Sequence, residues 1–434
     1  MSPTPTETAT DGDGGDGARH AWSAAFAVLQ RIGRSLMLPI AVLPAAGILL
    51  RLGQDDLLGK DGLGWDRIAE VFAAAGGALL DNLALLFAVG VAIGFARKSD
   101  GSTALSAVVG YLVFDRVSKT LFAHSSTLKD SVVQQVVQNG AVKDVIGYGL
   151  KNPTQVLGGI VVGIVVALLY QRFYRIKLPS WLAFFGGRRF VPIVSAGACL
   201  LLGVLFGLAW PTLGHWIDAF GDWITGLGAL GAGIYGVANR LLLPFGLHHI
   251  LNSLIWFVFG SYDDHGTIVH GEINRYLAGD PHAGTFLAGF FPVLMFGLPG
   301  AALAIWRAAA PGRRDVVGGL MVSSALTAFV CGVTEPIEFS FMFVAPLLYG
   351  IHVLLTGVSM YVLAAFDAQL GFSFSAGLID MLLNATKGNT RHLPLIIGMG
   401  VVYFFLYFAL FSFLIVRLNL PTPGREPEET AGDT

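Results

Sequence analysis

Uncharged stretches recur along this chain at lengths that suit a lipid bilayer. Residues 35–50, 82–96, 154–171, 190–214, 223–239, 283–306, 316–334, 339–366 and 393–416 contain no Asp, Glu, Lys or Arg. Several reach the roughly 20 residues that an α-helix needs to cross about 30 Å of hydrocarbon. Residues 241–262 add an apolar stretch holding two histidines, and 102–114 a shorter one. Lipid offers the backbone no hydrogen bonds, so spanning segments must pair their own polar groups as helices. The pattern predicts an all-α polytopic membrane protein with about ten transmembrane helices plus re-entrant hairpins. The stretch 117–153 is more polar, with Val132, Val133, Val136 and Val137 at helical spacing. It predicts a surface loop with an amphipathic helix.

Composition sharpens this picture. The 434 residues are 54% hydrophobic and 13% charged, with a mean hydropathy of +0.67. A soluble domain carries about 25% charged residues. The net charge of −2 argues against a nucleic-acid partner. Cys199 and Cys331 sit in apolar runs, without the spacing of a metal site or disulfide framework. No metal and no cofactor is expected. Residues 1–20 lack the apolar core of a cleavable signal and read as a disordered cytoplasmic tail. Residues 421–434 read as a second short cytoplasmic tail.

Basic residues set the expected orientation. Arg31, Arg34, Arg97, Lys98, a cluster from Arg172 to Arg189, Arg307, Arg313, Arg314, Arg417 and Arg425 flank the apolar stretches. Positive loops stay in the cytoplasm, which places both termini inside and the acidic loop 53–70 outside. Residues 21–220 hold few intramembrane polar groups but several glycines, among them Gly158, Gly159, Gly163, Gly203 and Gly207. Small residues let helices pack closely in lipid, so this half reads as scaffold or dimer interface. Residues 221–420 hold most of the intramembrane polar residues and Pro244, Pro292, Pro299, Pro336 and Pro346, and read as the transport half.

The densest candidate chemistry is Gly332-Val333-Thr334-Glu335-Pro336-Ile337-Glu338-Phe339, two carboxylates and a helix breaker between long apolar runs. An ionisable group at that depth costs roughly 2.5–3.5 kcal/mol or more and normally faces a functional cavity. Pro336 is expected to turn Glu335 away from helical geometry. One of the two carboxylates is expected to cap amides freed at the break. Glu335, at the break itself, is the expected ligand.

A second constellation runs from Asn239-Arg240 through Pro244 and Gly246 to His248-His249 and Asn252. A lone membrane arginine can be a snorkelling anchor or a site residue, and the residues alone leave both roles open for Arg240. His248 and His249 point to different helix faces, so at most one is expected to line a site. Asn252 shares the face of His248. A cation, an imidazole, an amide and a carboxylate in one half suit a polyhydroxylated neutral solute and a transferring phosphoryl group better than an ion.

These stretches, with Phe184–Ile193 and Gly297-Leu298-Pro299, resemble the membrane component (EIIC) of the glucose and N-acetylglucosamine family of the bacterial phosphoenolpyruvate-dependent sugar phosphotransferase system. The resemblance runs from about residue 25 to 426. His270–Tyr276, Gly371–Asp380 and Thr422–Glu426 look most like the N-acetylglucosamine branch, the glucose branch more often having His in place of Ala376. The resemblance implies an elevator-type glucose-superfamily fold in a homodimer within the bacterial cell membrane. It implies that Glu335 and His248 bind the sugar and serve its phosphorylation, with Arg240 beside them and Thr334 next to the glutamate; Asn252 joins them as a sugar ligand on the helix-face argument. It also implies group translocation of N-acetylglucosamine or a related hexose. A separate EIIB protein would supply phosphocysteine, itself fed by EIIA, HPr and enzyme I, because neither cysteine of this chain lies in a soluble segment. The rival readings are a glucose-specific EIIC, an ion-coupled transporter that moves sugar unmodified, and a sugar sensor.

Overall fold

The computed structural model describes residues 31–425, except 33–34, 41, 97, 139–140, 148–149, 265 and 374. The expected tail 1–20 and residues 426–434 of the second tail lie outside the described residues.

The first half begins with α1 (Leu43–Leu52), followed by α2 (Asp66–Asp81) and α3 (Leu83–Phe95), which meet at a bend of 54°. Then come α4 (Gly101–Phe122), α5 (Gln155–Phe173) and α6 (Phe190–Gly226). The second half contains α7 (Ala229–Leu242), α8 (His248–Phe257), α9 (Glu272–Leu277), α10 (Thr285–Ala308) and α11 (Arg314–Cys331). It closes with α12 (Glu335–Met342), α13 (Pro346–Ala365), α14 (Leu378–Asn384) and α15 (Leu393–Arg417).

Among the described residues, six helices are long and apolar enough to cross a membrane, or seven if α2 and α3 form one bent span. The window 190–214 lies in α6, a single helix of 37 residues that runs on to Gly226, while most of the window 223–239 lies in α7. It extends about 55 Å and retains Pro211 in its interior. The window 241–262 is instead a turn followed by the ten-residue α8. Leu200, Leu201, Leu205, Leu208, Trp216 and Trp223 of α6 are exposed. A helix that leaves so much apolar surface uncovered suits contact with lipid.

The stretch 117–153 differs from expectation. Its first residues complete α4, and Val133–Gln138 pairs antiparallel with Ala141–Ile146 as a hairpin, β1 and β2. The β-branched residues and the Asn139-Gly140 dipeptide are hairpin signals, and they outweigh the valine spacing. A second hairpin, β3 (Ser261–Asp264) and β4 (Thr267–His270), precedes α9.

The glycines of the first half serve packing within the chain. A Cβ on Gly159 would lie 2.1 Å from the Ala84 carbonyl oxygen, and one on Gly207 would lie 2.4 Å from Leu121. Only hydrogen at these positions allows α5 to approach α3 and α6 to approach α4. Contrary to its apolar reading, this half also holds a buried polar cluster. Lys119 Nζ donates to Asp115 Oδ2 at 3.0 Å, and Asn152 Nδ2 donates to Asp115 Oδ1 and Ser118 Oγ. Asn152 Oδ1 in turn accepts from the Thr154 amide and hydroxyl.

A polar clasp joins the halves. Arg51, fully buried at the end of α1, makes a two-point contact with Asp56 and donates to Gln54 and Thr386. Lys387, in the loop before α15, donates to Gln54 Oε1 at 2.7 Å and the Leu277 carbonyl at 3.0 Å. Burial, and then the nearby Arg51 charge, push the Lys387 ammonium down to about 8. Burial alone would raise the Asp56 carboxyl, but hydrogen bonding and charge from Arg51 hold it below its ordinary value.

Candidate functional site

The turn after α7 assembles one wall of the site. Leu243–Phe245 form a single 3₁₀ turn, and Gly246 takes a left-handed conformation at φ 69°. Proline suits the first turn of such an element, and glycine adopts positive φ without a Cβ clash. The chain reverses there, so α8 runs back beside α7 and brings Asn252 to Asn239. Tyr235 Oη donates to Asn252 Oδ1 at 2.8 Å, and Asn239 donates to the same oxygen.

The opposite wall comes from the break between α11 and α12. Gly332 has φ 71° and ends α11, while Pro336 falls in the first turn of α12, where its missing N–H costs nothing. The interruption therefore lies at Gly332–Thr334, and Glu335 opens the next helix instead of sitting in a non-helical break. Glu335 Oε2 accepts from the Thr334 amide at 3.2 Å. The amide freed at the break is thus held by Glu335 itself.

Glu338 has a different task from the cap expected of it. It is fully buried, and its Oε1 accepts from Arg240 Nη1 at 2.8 Å. The same oxygen lies 3.0 Å from His352 Nε2, and His352 Nδ1 lies 2.9 Å from Tyr407 Oη. A carboxylate only accepts, so Nε2 donates to it and the Tyr407 hydroxyl donates to Nδ1. Arg240 is also held by Tyr349, whose hydroxyl donates to its carbonyl oxygen, and lies over the Phe290 ring at 5.3 Å. It is only 6% exposed, so it is no snorkelling anchor.

Between these walls lies a cavity of about 420 Å³, within the range of small-molecule sites. Arg240, His248, Asn252, Thr334 and Glu335 all line it, together with Asn239. His249 lines it too, with its ring centroid 3.9 Å from that of His248, so both histidines reach the site. They share the first turn of α8. Sequence reasoning passed over the aromatic lining from Trp256, Phe290 and Phe372, and Ser375 from the loop before α14. It also missed His352 and Tyr407 behind Glu338. His352 was visible as the lone histidine of 339–366, but its partner is 14 residues upstream and the next is 55 downstream.

The other motifs lie around the cavity. Phe372 and Ser375 come from the Gly371–Asp380 stretch, and Asp380 holds its loop by accepting from the Ser373 amide at 2.7 Å. Ala376 is fully buried. In the His270–Tyr276 stretch, buried Glu272 accepts from the amides of Gly284 and Phe286 and anchors the start of α10. Phe290 and Leu294 reach the cavity from α10, whose segment Pro292–Gly297 is a π-helical interruption.

Three buried polar atoms in this cluster have no hydrogen-bond partner among the described residues: His248 Nδ1, Arg240 Nε and Glu338 Oε2. Buried polar atoms are normally paired, so this cluster retains hydrogen-bonding capacity that the described residues do not use.

Comparison with known proteins identifies the family. The family description "Phosphotransferase system, EIIC" matches residues 33–357. The chain belongs to this family. It is 53% identical to the N-acetylglucosamine-specific EIIC component of Streptomyces coelicolor, covering 96% of this chain and 97% of that protein. It is 47% identical to the N-acetylglucosamine-specific EIICBA component of Escherichia coli K12, covering 92% of this chain but only 56% of that protein. The crystal structure of ChbC, the IIC component from the N,N'-diacetylchitobiose-specific phosphotransferase system, superposes with a TM-score of 0.57 at 14% identity. That match covers 90% of this chain and 93% of the other. At that identity the likeness speaks to the fold alone, which is that of an EIIC transporter.

Proposed function

We propose that this EIIC component takes up N-acetylglucosamine and presents its C6 hydroxyl for phosphorylation by an EIIB phosphocysteine. The observation that carries the reading is the cavity between α7–α8 and α12, where a carboxylate, two imidazoles, two amides and a paired arginine meet an aromatic lining. Aromatic faces with a few fixed polar groups suit a sugar. The names of the relatives supply the sugar.

In this reading Glu335 and His248 hold the sugar hydroxyls, with Thr334 and Asn252 beside them. One of the first two takes the C6 proton as the hydroxyl attacks phosphorus and the cysteine sulfur leaves. Arg240, held by Glu338, faces the phosphoryl oxygens, for which a guanidinium is suited. Phosphoryl transfer asks mainly for positioning and charge stabilisation. The phosphoryl group comes from EIIB, fed in turn by EIIA, HPr and enzyme I. Cys199 is buried in α6 and Cys331 ends α11, so neither is placed to carry it.

Residues 21–220 act as scaffold and homodimer interface, and residues 221–420 move as an elevator around the sugar. The short and bent helices complete about ten crossings, with re-entrant pieces and both termini cytoplasmic. The test is radiolabelled N-acetylglucosamine supplied to vesicles with phosphoenolpyruvate and the soluble partners. Label recovered as the 6-phosphate only when EIIB is present, and lost in Glu335→Gln and His248→Ala, is the expected result. Free sugar accumulating under a proton gradient would replace the reading with ion-coupled transport, and equal handling of glucose would replace the sugar.

A further inference from the structure

The cavity's two asparagines belong to a hydrogen-bond chain that starts at Trp256. Trp256 Nε1 can only donate, and it donates to Tyr235 Oη at 2.9 Å. Tyr235 in turn donates to Asn252 Oδ1 at 2.8 Å. Asn239 Nδ2 donates to the same Asn252 oxygen and also lies within hydrogen-bonding reach of Tyr235.

The amide atoms left over are Asn239 Oδ1 and Asn252 Nδ2. Both side chains line the cavity and are only 2% and 5% exposed. Neither atom has a partner among the described residues, and neither is sealed away from open space. The cavity therefore presents one fixed acceptor and one fixed donor on adjacent side chains. Trp256 and Phe372 stand beside them, edge to face at 5.4 Å.

We infer that Asn239 and Asn252 form an acetamido-recognition pair, with Asn239 Oδ1 accepting from the substituent's N–H and Asn252 Nδ2 donating to its carbonyl. The inference rests on the proposed function and assigns its specificity. An acetamido group carries one donor and one acceptor, its N–H and its carbonyl oxygen, joined through one carbonyl carbon; this complements the pair, and its methyl suits an apolar wall such as Trp256 and Phe372. A protonated 2-amino group offers only donors and would leave Asn252 Nδ2 unmatched. A single 2-hydroxyl donates and accepts through one atom and has no methyl to place against the wall. A site built to pair buried polar groups rejects an analogue that leaves them unpaired. Tyr235 and Trp256 act as positioning residues, holding the amides in the one orientation that fits.

The test is competition against labelled N-acetylglucosamine by N-acetylglucosamine, glucosamine and glucose on the purified full chain in lipid nanodiscs. Wild type, Asn239→Ala, Asn252→Ala, Trp256→Phe and Glu335→Gln are compared. Each asparagine variant is expected to weaken N-acetylglucosamine on the order of tenfold more than it weakens glucose. Trp256→Phe, which frees Tyr235 to turn, is expected to erode the same ratio by a smaller factor. Equal losses for all three sugars, or unchanged selectivity, would overturn the pair while Glu335-dependent binding of N-acetylglucosamine kept the proposed function intact. Absence of that Glu335-dependent binding in wild type would bring down the proposed function itself. Should the asparagine variants fail to fold, the sugar series on wild type decides: glucosamine binding as tightly as N-acetylglucosamine overturns the pair.

Discussion

Two buried polar clusters, one in each half of the chain, differ in how completely they are paired. Around α4, Asp115, Ser118, Lys119, Asn152 and Thr154 satisfy one another, and none of their buried atoms lacks a partner. Around α7 and α12, Arg240, Glu338 and His248 each keep one buried polar atom without a partner. A closed network spends all its donors and acceptors on itself and has nothing left for a ligand. An open one carries the desolvation penalty of its unpaired atoms. In this chain the candidate cavity lies beside the cluster whose pairing is unfinished.

The sharpest way to break this comparison is to remove one charge from each cluster. Glu338→Ala strands the Arg240 guanidinium, and losing one member of a buried pair costs about 3–5 kcal/mol. EIIB-dependent sugar phosphorylation per folded molecule is expected to fall by at least about a hundredfold. Lys119→Met is expected to lower the melting temperature while leaving the sugar affinity of the folded fraction unchanged. Altered affinity in Lys119→Met would mean that the two clusters are not independent.

A smaller effect comes from ligand protection. N-acetylglucosamine at about 100 times its Kd should stabilise the protein by about 2.7 kcal/mol, read as a thermal shift in detergent. Asp115→Asn is expected to melt lower yet keep this shift, and Glu335→Gln to lose it. Loss of the shift in Asp115→Asn would place the α4 cluster in the binding machinery.

The smallest effect belongs to the clasp between the halves. Lys387 has its pKa lowered from 10.5 to about 8, so between those values the folded state binds fewer protons than the unfolded chain. The Lys387 contribution to stability therefore rises as pH rises through that window and is constant below it. Melting curves from pH 7.5 to 10 should show wild type gaining on Lys387→Met. A difference that is flat or falls with pH would refute the burial of this ammonium.

Much of the architecture was legible because hydropathy is local. The uncharged windows became helices, and the proline and glycine positions became the turns before α8 and α12. The candidate residues Arg240, His248, Asn252, Thr334 and Glu335 were nameable because an ionisable or amide side chain in lipid stands out against its neighbours. The misreadings concern partners. Glu338 was expected to cap the break, yet it pairs with Arg240, and Glu335 holds the freed amide. The window 190–214 was legible as a helix, but not its continuation to Gly226. Valine spacing in 117–153 suggested a helix where a hairpin forms, because the spacing of a few valines also fits alternation.

By itself the sequence determined that this is a helical membrane protein with its candidate site in residues 221–420. That follows because lipid forces backbone pairing within each segment, and the cost of a buried charge depends on the segment that holds it. Tertiary structure alone decided which charges meet. Arg240 and Glu338 lie 98 positions apart, and no local rule distinguishes that pairing from Arg240 with Glu335. Packing chose between the two carboxylates, burying one as a strut for the arginine and leaving the other facing the cavity.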